Sequence, residues 1–251
     1  MITYITGATS GIGKACAEIF AKNGSDLVIT GRRKERLDEL KKDLENRYGI
    51  HVTVSCYDIR DRGSVETAWE ELPDKWKEID ILVNNAGLAA GLEPIHEGNP
   101  DNWERMIDTN LKGLLYISRL VTARMTEQKS GHVINIGSIA GKEAYAGGNV
   151  YCATKHAVEG LTKAMRIDLL PFGIKVSQIA PGAVETEFSL VRFNGDRERA
   201  ANVYNGYEPL GPEDVAEAVW FVASRPKHVN INDLLIMPAA QANATTFNRR
   251  G

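Results

Sequence analysis

The first thirteen residues, MITYITGATSGIG (Met1–Gly13), decide the fold. MITYIT is rich in β-branched and aromatic residues, the composition of a short buried strand. GATSGIG is a turn. KACAEIFAKNG (Lys14–Gly24) carries apolar residues at helical spacing and stops at a glycine. Strand, glycine turn and helix in direct succession make a place for an anion. Gly7 and Gly11 let the chain turn, and Gly13 lets the helix pack close to the strand. The free N–H groups at the helix start, with Ser10 and Ile12 on the same turn, are expected to hold a pyrophosphate. The competing reading is a tight turn with no ligand, which the strand–turn–helix context disfavours.

Outward from this turn the alternation repeats to the end of the chain. DLVIT (Asp26–Thr30), HVTVSC (His51–Cys56), IDILVNN (Ile79–Asn85), GHVINIGS (Gly131–Ser138), IKVSQIAPG (Ile174–Gly182) and DLLIMP (Asp233–Pro238) read as further strands. Helical segments separate them, including one long helix over Asn102–Gln128 and another over Val150–Pro171. The strands are apolar throughout and not alternating, as when both sheet faces are covered. The pattern predicts one Rossmann-type domain over residues 1–251, a doubly wound parallel α/β sheet of about seven strands flanked by helices. Residues 185–210 break the rhythm. They read as an irregular lid with short helical pieces at best, and variable loops on a rigid scaffold commonly carry specificity.

The end of the second strand reads TGRR (Thr30–Arg33). A site selecting NAD places an acidic residue there for the ribose hydroxyls. Gly31 removes that charge and leaves room, and Arg32 and Arg33 offer planar donors suited to a phosphate. NADP(H) is therefore the expected cofactor. The bland alternative is two solvated arginines, which would sit slightly unfavourably at a helix start.

Composition narrows the rest. The formal net charge is -3, 43% of residues are apolar and 25% charged. No basic tract predicts nucleic-acid or anionic-membrane binding, and no apolar run is long enough to cross a bilayer. A signal peptide is not expected, and the cytoplasm is the expected location. Cys16, Cys56 and Cys152 are scattered singly and read as free, buried or half-buried thiols. The five histidines have no metal-ligand spacing, so no metal is expected. Trp69, Trp76, Trp103 and Trp220 lie on helical faces and read as core or interface.

VYCATKHA (Val150–Ala157) places Tyr151 and Lys155 four residues apart, on one helix face. A lysine ammonium beside a phenol favours the phenolate, which predicts a lowered Tyr151 pKa and a usable proton donor and acceptor. Ser138, ending the fifth strand, falls at the same sheet edge and can polarise a substrate oxygen. Singly, each has an ordinary reading as a helix pair, a packing aromatic or a turn serine.

Together with NNAG (Asn84–Gly87), Asn110 in DTNLKG and Pro181-Gly182, these motifs make the chain resemble a classical short-chain dehydrogenase/reductase over essentially its whole length. The resemblance implies Tyr151 as general acid/base, Ser138 holding the substrate oxygen, and Lys155 on the nicotinamide ribose. It implies that Asn110 distorts its helix and positions a water leading to Lys155. Asp58 would meet the adenine amino group, and Asn84, Ala86 and Gly87 would line the adenosine side. Pro181, Gly182, Val184 and Thr186 would cover the nicotinamide. VRFNGD, AYAGGNVYCATK and PKHVNINDLLIMP resemble a narrower branch of NADP-dependent 3-hydroxy acid dehydrogenases. That branch implies short β-hydroxy acids such as serine and allo-threonine as substrates, and a homotetramer. Arg192 is the expected carboxylate ligand, with Arg197 a weaker candidate. The competing readings are a broad carbonyl or diketone reductase, a binding protein on the same fold, which would not need the Tyr–Lys pair, and a nucleic-acid module, for which the surface charge is wrong.

Overall fold

A computed structural model describes residues 1–250. Seven strands form one fully parallel sheet: β1 (Ile2–Ile5), β2 (Asp26–Gly31), β3 (Val52–Cys56), β4 (Ile81–Asn84), β5 (Gly131–Ile136), β6 (Ile174–Pro181) and β7 (Asp233–Ile236), in the order β3-β2-β1-β4-β5-β6-β7. Connections run outward in both directions from β1 and β4. This reversal opens a crevice beyond the carboxyl ends of the strands, where ligands of such sheets bind. β1 and β4 are almost wholly buried. β7, at the edge, instead alternates exposed and half-buried residues, because only one neighbour covers it.

The helices are α1 (Gly11–Lys22), α2 (Lys34–Tyr48), α3 (Arg62–Glu70), α4 (Pro100–Ile107), α5 (Leu114–Gln128), α6 (Asn149–Leu169), α7 (Glu187–Arg192), α8 (Arg197–Asn202) and α9 (Pro212–Ala223). Their ends follow local chemistry. Asp61 accepts a hydrogen bond from Ser64 N–H at 2.6 Å to start α3. Asn99 caps α4, whose first residue is Pro100. Gly49 ends α2 in the left-handed region at φ 66°. One apolar cluster lies between the sheet and α1, α2 and α9, and another covers the opposite face. Phe20 and Trp220 meet edge to face at 5.3 Å between centroids and lock α1 to α9.

Three sequence readings change. The helix expected over Asn102–Gln128 begins at Pro100; the distortion expected at Asn110 is present, as a π-helical turn at Asp108–Gly113 between α4 and α5. The irregular stretch after Glu185 holds two complete short helices, α7 and α8, each capped by a side chain, Thr186 and Asp196. Cys56 is exposed, while Cys16 and Cys152 are buried free thiols.

Candidate active site

The glycine turn lies at the centre of the crevice. Gly7 (φ +69°) and Gly11 (φ +53°) occupy backbone conformations that favour glycine. A Cβ on Gly13 would stand 2.3 Å from the Gly7 carbonyl oxygen and 2.4 Å from Asn85 Nδ2, so only glycine lets α1 approach the turn. Asn85 Nδ2 donates to the carbonyls of Thr6 (2.9 Å) and Gly7 (3.2 Å). The Thr6 hydroxyl accepts from the Asn85 and Ala86 N–H groups at 3.0 Å each. The loop after β4 therefore braces the turn.

Gly7, Ser10, Gly11, Ile12, Arg32, Arg33, Asp58, Ala86 and Gly87 line one continuous cleft with Ser138, Tyr151, Lys155, Pro181, Gly182, Val184 and Thr186. Gly13 lies beneath the turn. Asn84 does not line the cleft, contrary to the reading of NNAG. It ends β4 with its side chain turned to the other sheet face, where Nδ2 donates to Ser118 Oγ (2.9 Å) and Asn135 Oδ1 (2.8 Å). Its neighbour Asn85 reaches the cleft, since successive strand residues face opposite sides. Asn110 is also buried behind the lining. It accepts from Leu88 N–H and donates to Leu88 C=O, both at 2.8 Å, and donates to Thr154 Oγ1 at 3.1 Å. Its π-helical turn thus fixes the chain that follows Gly87.

At the β2 end, a Cβ on Gly31 would come within 2.8 Å of Thr9 Cγ2, so Gly31 is needed for space as well as for charge. Arg33 donates through Nε and Nη2 to Thr9 Oγ1 (3.1 and 2.6 Å) and through Nη2 to Ser10 Oγ (2.8 Å). Its Nη1 pairs with Glu187 Oε2 at 2.8 Å, and Arg36 Nη1 pairs with Glu187 Oε1 at 2.7 Å. The Arg33 bonds hold the Glu187 carboxyl down to about 2, partial burial opposing them and Arg36 adding to them. Arg32 is more open, 58% exposed and 3.9 Å from Asp58. Burial pushes the Asp58 carboxyl up, but its hydrogen bonds from Arg60 outweigh this and keep it below its ordinary value.

At the β5 end, Ser138 starts a short 3₁₀ turn and accepts from Ala140 N–H at 3.1 Å. Lys155 is buried, and its ammonium donates to Ile136 C=O at 2.9 Å, its one partner among the described residues. Burial lowers its pKa to about 8. The Tyr151 phenol is pushed well above its ordinary value by burial, with nearby Tyr145 adding to the rise; the Ser138 hydroxyl and Arg192 pull it back only in part. The expected lowering by Lys155 is absent, because the ammonium faces the Ile136 carbonyl and burial dominates.

α7 spans the cleft opening. Phe188 packs edge-on against Tyr151, centroids 5.6 Å apart. The Arg192 guanidinium carbon lies 5.5 Å from the centroids of both Tyr145 and Tyr151. It donates to Tyr145 Oη at 2.5 Å and Gly91 C=O at 3.2 Å, and its Nη1 has no partner among the described residues. Neither Arg192 nor Arg197 is among the residues lining the cleft: Arg192 is half-buried beside the Tyr145 and Tyr151 rings, and Arg197 is exposed at the start of α8. Thr9, Asn85, Tyr145, Glu187 and Phe188 were not read as site residues. Thr9 lay inside the quoted glycine turn and Tyr145 inside a quoted motif, but nothing local marked Glu187.

A family model described as short chain dehydrogenase matches residues 1–195. The chain is 49% identical over 245 residues to an NADP-dependent 3-hydroxy acid dehydrogenase, YdfG, of Salmonella typhi, covering 97% of each chain. It is 43% identical over 242 residues to sulfoacetaldehyde reductase 2 of Chromohalobacter salexigens, covering 96% of this chain and 95% of that one. Among solved structures, a closed form of serine dehydrogenase complexed with NADP+ superposes with a TM-score of 0.92 at 47% identity, covering all of both chains.

Proposed function

The chain belongs to the short-chain dehydrogenase family, and from that premise we propose that it is an NADP(H)-dependent oxidoreductase for short 3-hydroxy acids. The reaction interconverts the β-hydroxyl of L-serine, L-allo-threonine or 3-hydroxyisobutyrate with the corresponding carbonyl, including semialdehydes such as malonic semialdehyde.

The cleft fits the cofactor. Three glycines stand where a side chain would strain or block the turn, and cationic Arg32 lies open beside it. Buried Lys155 has one protein acceptor for three donors, which leaves N–H groups for ribose hydroxyls. When bound, NADP(H) accepts or supplies the hydride. Ser138 and Tyr151 are assigned to the substrate oxygen. Raised by burial, the Tyr151 phenol keeps its proton at neutral pH and is a general acid toward a carbonyl. In the oxidative direction it must accept a proton, and the Lys155 charge has to turn toward it for that. Asn110 holds Leu88 and hence the Gly87 backbone beside Lys155, and a water there would connect the lysine to solvent. Residues 185–210 act as the lid.

The observation that carries the substrate class is the position of Arg192. A guanidinium with unused donors lies beside the Tyr151 ring, and a buried carboxylate needs such a partner. Held there by its carboxylate, a hydroxy acid presents its β-carbon to the reaction site. Sulfoacetaldehyde has the same layout, an anionic group one carbon from a carbonyl, so the relative that reduces it supports recognition of an anion at this end of the cleft. The apolar Phe188 and Val191 in the lining favour the second reading, a broad carbonyl reductase. Comparing kcat/KM for L-serine, serine methyl ester and ethanolamine separates the two. Hydroxy-acid recognition makes both analogues much poorer, and Arg192→Leu shrinks the gap. An ester as good as serine would replace this reading with the carbonyl reductase.

A further inference from the structure

α7 is six residues long and is tied down at both ends. Glu187 begins it, paired with Arg33 and Arg36 at 2.8 and 2.7 Å. Arg192 ends it, bonded to Gly91 and Tyr145 beside Tyr151. The first attachment lies at the β2 end, where a 2′-phosphate is expected, and the second at the reaction site. Four of the five Arg33 N–H groups are in use, three toward Thr9 and Ser10 and one toward Glu187. The side chains of Thr9 and Ser10 belong to the glycine turn and stay with it. Among the described residues Glu187 is the one anion on Arg33, and it sits on a short helix that packs against α8 and, through Phe188, against Tyr151.

We propose that Glu187 is a cofactor-sensing latch: its carboxylate holds the place on Arg33 that the 2′-phosphate of NADP(H) takes, so phosphate binding releases the first turn of α7. The inference rests on the NADP(H) reading above. A phosphate monoester carries nearly two negative charges at neutral pH and accepts bidentate pairs from arginine, so it outcompetes one carboxylate and repels it. Glu187 is ionised at any assay pH, so the competition is between two anions. An adenine dinucleotide without the phosphate brings nothing to break the pair. Glu187 thereby weakens the binding of the phosphorylated cofactor while reporting its arrival to the helix that carries Phe188 and Arg192. Both partners are about 40% exposed, so the effect is moderate.

The test uses 2′,5′-ADP, which carries the phosphate but no nicotinamide, against 5′-AMP. Dissociation constants come from calorimetry, and amide hydrogen exchange over residues 187–192 reports the helix. In the wild-type protein 2′,5′-ADP binds more tightly than 5′-AMP and speeds exchange in α7, while 5′-AMP leaves it unchanged. Glu187→Gln and Glu187→Ala exchange quickly without ligand, and 2′,5′-ADP adds nothing. They bind 2′,5′-ADP about two- to fivefold more tightly than wild type, the range of a released surface ion pair, and 5′-AMP equally. Weaker 2′,5′-ADP binding in both variants would make Glu187 a support for Arg33 and overturn the latch while the phosphate site stands. Slower α7 exchange with 2′,5′-ADP in the wild type would overturn it as well. Equal wild-type affinity for the two nucleotides would instead remove the phosphate site itself, and the latch with it.

Discussion

Replacing Lys155 with methionine should make the protein more stable near neutral pH, and the structure sets the size of the gain. The ammonium is buried with a single backbone acceptor, and its pKa falls from 10.5 to about 8. Between those values the unfolded chain holds a proton that the native one has lost, so stability rises with pH across the window. At 1.36 kcal/mol per pKa unit the full interval corresponds to about 3 kcal/mol, nearly all of it a penalty on the native state at pH 7. About 2 kcal/mol of that returns by roughly pH 9.5, before the tyrosines titrate. Methionine fills similar volume and carries no charge, so Lys155→Met should unfold at higher urea than wild type at pH 7 and lose this rise. Urea denaturation without cofactor at intervals from pH 7 to 9.5, with the two proteins compared at each, isolates the lysine from other titrating groups. A wild-type-minus-variant difference that stays flat across the range would refute the burial argument. So would a variant less stable than wild type at pH 7.

Tyr151→Phe should fold and bind NADPH but lose about a hundredfold to ten-thousandfold in kcat, the usual contribution of a general acid; near-normal turnover removes the phenol from the mechanism. Arg32→Ala should weaken NADP+ binding about tenfold and leave NAD+ unchanged, the scale of one charge-assisted hydrogen bond in an exposed setting. Because no hydrogen bond holds Arg32 among the described residues, equal losses for the two cofactors would exclude a phosphate contact. The raised Tyr151 pKa makes carbonyl reduction nearly independent of Tyr151 ionisation until about pH 10, whereas oxidation should accelerate as pH rises and level off above about pH 8, where Lys155 loses the charge that oxidation needs. Initial rates in both directions from pH 6 to 10 check this, and a reduction rate falling from neutrality would contradict it.

Much of the site was legible because each motif ends or starts a regular element. Gly7 and Gly11 after β1, Ser138 after β5, and Tyr151 and Lys155 at the start of α6 fall at one sheet edge once the strands are taken as parallel. Side-chain direction at strand ends was less legible. NNAG does not say which asparagine faces the crevice, and the pleat gives that place to Asn85 and turns Asn84 toward Ser118. The Tyr–Lys pair suggested a lowered phenol, but a four-residue spacing carries no information about burial, which sets the actual direction. Glu187 and Arg33 are 154 positions apart, and no local pattern connects them. The helices of the lid were better marked than the reading allowed. Thr186, which accepts from Phe188 N–H, and Asp196, which accepts from Arg199 N–H, are capping residues written in the sequence.

The central claim is that a hydride leaves the β-carbon of a hydroxy acid in this cleft. L-serine deuterated at the β-carbon, incubated with NADP+, tests it most directly by mass spectrometry of the reduced cofactor. One deuterium is expected in the NADPH formed, with a slower single-turnover rate than unlabelled serine, and none from serine deuterated at the α-carbon. Label arriving from the α-carbon, or no reduction of NADP+ by serine, L-allo-threonine or 3-hydroxyisobutyrate, would contradict it.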